Sequence, residues 1–138
     1  MKEFSVEFHG CLREFFKSNL PTYPGIYCVY TCTYNPVNNK VVLKKLVYIG
    51  QSDNINYRIN HHERLPDWKK HLKDDEILCY SYANIDGDKE RVEAAMIYKH
   101  KPPCNIEYRD SFPFPDTIVN ISGITRFLFQ SFAVKRTE

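Results

Sequence analysis

Apolar positions along the chain change rhythm several times, and each rhythm predicts an element. Over residues 3–17, Phe4, Phe8, Cys11, Leu12 and Phe15 recur at helical spacing, which predicts an amphipathic helix ended by Pro21. From Gly25 the run GIYCVYTCTY is dense in β-branched and aromatic residues and predicts a strand. Residues 35–40 (NPVNNK) carry turn chemistry, and a second strand over 41–49 closes a β-hairpin. Gly50-Gln51-Ser52-Asp53 then breaks the strand and offers N-cap residues. Ile55, Ile59 and His62 predict a helix that stops at Pro66. Ile77, Cys79 and Ser81 alternate as a third strand. Asp86-Gly87-Asp88 caps a helix over about 89–100, which Pro102-Pro103 stops. In the tail, a proline-rich loop precedes a hairpin with arms near 116–121 and 127–134 and Gly123 in its turn.

The order predicts an α/β fold: a small, mainly antiparallel β-sheet of three core strands flanked by helices, with a C-terminal β-hairpin extension. At 138 residues, one domain covers 1–138, with an N-terminal helix at 3–17, a core over 24–105 and an extension over 106–138. A 43% share of hydrophobic residues suits a chain with its own core. No run reaches the eighteen or so apolar residues of a membrane span, and the N-terminus does not read as a secretory signal. Five cysteines, an odd count without a CxxC, favour a reduced, cytoplasmic chain over a disulfide framework or a zinc site.

The net charge of +2 argues against nucleic acid only as an average. Residues 40–73 hold eight Lys or Arg against Asp53, Glu63 and Asp67, a net of +5, and the rest of the chain is net −3. Lys40, Lys44 and Lys45 on the hairpin, with Arg64, Lys69, Lys70 and Lys73 beyond the following helix, are candidate phosphate contacts that would grip DNA without reading its sequence. Trp68, among them, is read as a loop anchor rather than a stacking platform.

Two strand ends carry the chemistry. The first strand opens Gly25-Ile26-Tyr27, and the second closes Tyr48-Ile49-Gly50. Arg58 stands ten residues past Tyr48, and His62 four residues further, on the same predicted helix face. The segment ERVEAAMIYKHKPPCN then supplies Glu93, the pair Met96-Ile97, Lys101-Pro102 and Asn105. Singly, each residue has an ordinary reading as a strand aromatic, a solvated helix residue or a loop residue. Jointly, in this order, they resemble the GIY-YIG nuclease superfamily. The resemblance covers residues 24–105, leaves 1–23 and 106–138 outside it, and departs from homing-type members in its longer hairpin.

The resemblance implies a divalent-metal-dependent DNA endonuclease with one active site built from Tyr27, Tyr48, Arg58, His62, Glu93 and Asn105. Arg58 offers a permanently charged fork to a scissile phosphate. Glu93, the one carboxylate expected at the site, suits one Mg²⁺ that keeps several waters, with Mn²⁺ as a substitute. Tyr27 is implied as the group that takes the proton from the attacking water, Tyr48 as an orienting group and His62 as a helper or sharer of the base role. Asn105 is expected to pin the Glu93 helix to the sheet. Gly25 and Gly50 are read as structural turn positions, and His71 as an accessory histidine or part of a basic surface. One active site cuts one strand, so a double-strand break calls for a homodimer or two binding events. The alternatives are a non-catalytic nucleic-acid-binding or regulatory module on the same fold, or a nuclease for RNA or branched DNA.

Overall fold

A computed structural model describes residues 1–137. Six strands form one sheet: β1 (Lys2–Arg13), β2 (Gly25–Asn35), β3 (Lys40–Ser52), β4 (Ile77–Asn84), β5 (Thr117–Gly123) and β6 (Ser131–Val134). Their spatial order is β3-β2-β4-β1-β5-β6. All neighbours are antiparallel except β1 and β5, which run parallel. The α/β class holds, with a core of six strands in place of the expected three. A C-terminal hairpin forms, but Gly123, expected in its turn, ends β5 paired with Phe8, the second arm begins only at Ser131, and the hairpin extends the main sheet through β1.

The predicted helix over 3–17 is absent. Residues 2–13 are strand β1, followed by a short 3-10 segment over Glu14–Asn19. Phe4 and Phe8 satisfy both a four-residue and a two-residue period, and Val6 decides between them. A helix would turn Val6 away from the Phe face, whereas a strand puts Phe4, Val6 and Phe8 on one side. Val6 and Phe8 are fully buried against the core. The strand then lies centrally, paired to β5 along Lys2–Phe8 and to β4 from His9 onward.

Helices cover both faces. Helix α3 (Lys89–His100) buries Val92, Ala94, Ala95, Met96 and Ile97 against one face. It occupies the predicted span, although Asp88 pairs with Lys2 at 2.8 Å instead of capping it. The other face takes α1 (Ile55–Asn60) and α2 (Leu65–Lys69) over Tyr27, Val29, Leu78 and Tyr80. The single helix expected up to Pro66 is thus two. Asn54 caps α1 by accepting the Tyr57 amide, and α1 ends at Asn60. Pro66 opens α2 rather than stopping α1, in the first turn where its missing N–H costs nothing. His62 therefore sits in the connection, not one turn above Arg58. All five cysteines are free, and among the described residues no helix is long and apolar enough to cross a membrane.

Candidate functional site

The site forms at the β3 edge, where elements from both faces meet. Residue Val29 pairs with Tyr48 but Tyr30 pairs with Leu46, so Val47 is an extra residue in β3. Such a bulge shifts the side-chain phase by one. Beyond it, Tyr48 faces the same side as Val29 and Tyr27, and the two tyrosine rings lie 6.3 Å apart. Cys104 donates its amide to the Val47 carbonyl at 3.0 Å, so the bulge also receives the chain returning from α3. Next to it, Asn105 accepts the Ile49 amide and donates to the Ile49 carbonyl, both at 2.9 Å. These two bonds tie the end of α3 to β3.

The two glycines are not turn positions. Gly25 pairs with both Ser52 and Asn84, and Gly50 lies within β3 opposite Tyr27. What excludes a side chain is close approach: a Cβ on Gly50 would fall 2.3 Å from the Tyr27 ring and hydroxyl. On Gly25 it would fall 1.8 Å from the Ala83 carbonyl. The absence of a side chain at Gly50 is what lets Tyr27 lie across β3.

Tyr27 Oη is 2.8 Å from Nε2 of His62, and both groups are buried. The Arg64 amide donates to Nδ1 of His62 at 3.1 Å. Nδ1 therefore carries the lone pair, and in the neutral ring the proton is on Nε2 and donated to Tyr27 Oη. Burial and the Arg58 charge hold His62 down to about 4, so the ring is neutral at pH 7. Trp68, fully buried, packs against His62 at 4.4 Å and Tyr48 at 5.3 Å, an anchor beneath the site. Burial pushes the Tyr27 phenol well up, with the Arg58 charge pulling it back. Tyr48 is raised for the same first reason, and then by Glu93.

Glu93 projects from α3 into a cavity of about 150 Å³ that it shares with Tyr48, Glu63, Arg64, Asn105 and Glu107. Burial, followed by repulsion from Glu107 and Glu90, pushes its carboxyl up to about 8; the Gln51 backbone and Arg58 offset this in part. Arg58 is engaged by Glu63, Nη1 to Oε2 at 2.8 Å and Nη2 to Oε1 at 3.0 Å. Among the described residues, no group of three or more His, Cys, Asp or Glu is placed to hold a metal ion. A carboxylate raised by burial, beside room for several waters, suits a largely hydrated hard cation on a single protein ligand.

Tyr48, Asn105 and Glu93 thus share one cavity, Tyr27 and His62 lie behind Tyr48, and the charge of Arg58 reaches both phenols. His71 is set apart: its Nδ1 lies 3.0 Å from Lys45 Nζ, and it lines a neighbouring cavity with Arg64, Lys70 and Cys104. Lys40, Lys44, Lys45, Lys69, Lys70 and Lys73 are exposed. Glu63 has no counterpart among the residues predicted from the sequence. It stands five residues from Arg58, a spacing that faces no helix neighbour, so only the break after α1 brings it round.

No family model and no solved structure matches the chain. It is similar to UvrABC system protein C of Thermosipho africanus, 32% identical over 71 residues, which is 50% of this chain and 13% of that protein. The protein of the same name from Mycoplasmoides gallisepticum is 28% identical over 90 residues, 63% of this chain and 15% of the relative. That of Fervidobacterium nodosum is 31% identical over 74 residues, 52% and 13% respectively. The chain spans only 13–15% of the length of these curated relatives. Over about half its length, then, it is distantly similar to one segment of UvrABC system protein C.

Proposed function

We propose that the chain is a GIY-YIG-type nuclease that hydrolyses phosphodiester bonds in DNA at one active site, with one divalent metal ion. The observation that carries this reading is convergence. Four separate elements (β2, β3, α1 and α3) and the connection after α1 bring Tyr27, Tyr48, Arg58, Glu93 and His62 to one edge of the sheet. The likeness to UvrABC system protein C, which contains a GIY-YIG domain, supports it.

The roles follow from the chemistry of each group. Arg58 clamps the non-bridging oxygens of the scissile phosphate and stabilises the charge that builds there. Glu93 would hold Mg²⁺ or Mn²⁺, which would supply Lewis-acid polarisation and lower the pKa of water. Tyr27 takes the proton of the attacking water when its phenol is ionised, a state favoured by the Nε2–H of His62 and the charge of Arg58. His62 acts as a hydrogen-bond donor to Tyr27, because its other nitrogen is committed to the Arg64 amide. Tyr48 orients water or phosphate, and Asn105 holds the α3 end against β3.

The test is a panel of duplex, single-stranded and branched DNA and RNA, incubated with wild-type protein in Mg²⁺ or Mn²⁺ and in chelator. Metal-dependent cutting of DNA is expected. Cutting of RNA alone would move the substrate class, and binding without cutting in any metal would leave a non-catalytic module on this fold. A size measurement with and without DNA decides whether two sites act together on a double-strand break.

A further inference from the structure

Arg58 is not a free clamp. Its two terminal nitrogens donate in parallel to the two oxygens of Glu63, at 2.8 and 3.0 Å. A guanidinium presents this same two-bond face to two oxygens of a phosphate. The Glu63 side chain is 67% exposed, and among the described residues Arg58 is its only salt-bridge partner. It sits in the short connection between α1 and α2 and lines the cavity that holds Glu93. An ion pair this exposed contributes little to stability. Nothing about the core requires it, yet it occupies the fork that faces the site.

We infer that Glu63 is an internal substrate mimic: its carboxylate fills the phosphate position on Arg58, and a nucleic-acid phosphodiester binds by displacing it. This rests on the nuclease reading and adds a selectivity to it. A tethered carboxylate is always present at high local concentration, so a free phosphate or mononucleotide competes poorly. A strand held at the same time by flanking phosphates on the Lys45–Lys73 face has its own high local concentration and wins the exchange. Glu63 therefore favours polymeric substrates over small anions.

The experiment is a double-mutant cycle on binding of a fluorescent DNA duplex in chelator, with Glu63→Gln, Arg58→Ala and the double variant. Asp75→Asn, at an exposed acid, reports the general effect of removing one negative charge, and thermal melting checks that each variant folds. Glu63→Gln is expected to tighten binding about two- to fivefold, and in the Arg58→Ala background the gain is expected to fall to that of Asp75→Asn. Asp75→Asn should give the same small gain in both backgrounds. A Glu63→Ala variant repeats the measurement with a different side chain, and inorganic phosphate should compete with DNA better in Glu63→Gln than in wild type. No gain beyond that of Asp75→Asn, weaker binding, or an excess gain that survives Arg58→Ala overturns the inference. The nuclease reading is judged separately by wild-type cleavage: if that is absent both fail, and if it is present with a flat cycle only the mimic fails.

Discussion

Tyr27 and His62 show how residue-level geometry sharpens a role. Either could be the base on residue type alone, His62 as a neutral imidazole and Tyr27 as a phenolate. The Arg64 amide on Nδ1 settles which nitrogen carries the proton, and with it the direction of the hydrogen bond to Tyr27. Tyr27→Phe removes the proton acceptor and keeps the ring over Gly50. It is expected to lower single-turnover cleavage by about 10²–10⁴ with the melting temperature little changed. His62→Gln, which can still donate, should retain more activity than His62→Leu; equal loss in both would refute the donor role.

The same scale predicts a pH dependence of stability. Glu93 in the metal-free fold is held at about 8, against an ordinary 4.5. Between those values the folded state binds the proton and the unfolded state does not, so stability falls as pH rises. His62 has the opposite sign: its depressed value, about 4 against 6.5, costs stability as pH falls through that window. The two slopes oppose each other from pH 4.5 to 6.5, and Glu93 acts alone from 6.5 to 8. Urea unfolding of metal-free protein should therefore lose up to about 1.4 kcal/mol per pH unit in the upper window. In Glu93→Gln that slope should disappear. The short local patterns that carry Tyr27, Tyr48, Arg58, His62, Glu93 and Asn105 were legible, although the break after α1 that sets His62 off the Arg58 face was not. Glu63 was not, because its position depends on where α1 stops.

At the scale of elements, period matters more than composition. The hairpin β2–β3, strand β4 and helix α3 were legible because each shows one rhythm bounded by Gly, Pro or Asn. Strand β1 was misread because Phe4 and Phe8 fit two rhythms, and its parallel partner β5 lies more than a hundred residues away in sequence. Val6→Asn tests the assignment. Placing an unpaired amide at this buried strand position should cost about 2–4 kcal/mol in urea unfolding. Glu7→Asn, on the exposed side, should cost within about 0.5 kcal/mol. The bulge at Val47 is likewise invisible in composition, although it sets Tyr48 beside Tyr27. Gly50→Ala probes that arrangement, since its methyl must push the Tyr27 ring aside. Cleavage should fall far more than the roughly 1–3 kcal/mol of overpacking would suggest, whereas Ser52→Ala at the end of the same strand should leave it intact.

At the scale of the whole molecule, charge segregates along the sheet edge. A balanced composition conceals a basic run on the β3 hairpin and the segment after α1, beside the cavity of Glu93. If Lys44 and Lys70 meet phosphates, Lys44→Gln and Lys70→Gln should each reduce the slope of log affinity against log salt by about one. Sequence preference should stay unchanged, since such contacts position rather than read. The fold also half-buries Glu93 where its charge is poorly tolerated without a cation. The same residue is thereby destabilising in the free protein and indispensable to the proposed chemistry.

That pairing gives the most direct test. Wild type and Glu93→Gln are compared at pH 8 for cleavage of plasmid DNA in Mg²⁺ and for stability without metal. The expected result is that Glu93→Gln is cleavage-dead and more stable than wild type. Cleavage by Glu93→Gln at the wild-type rate would contradict the account at its centre.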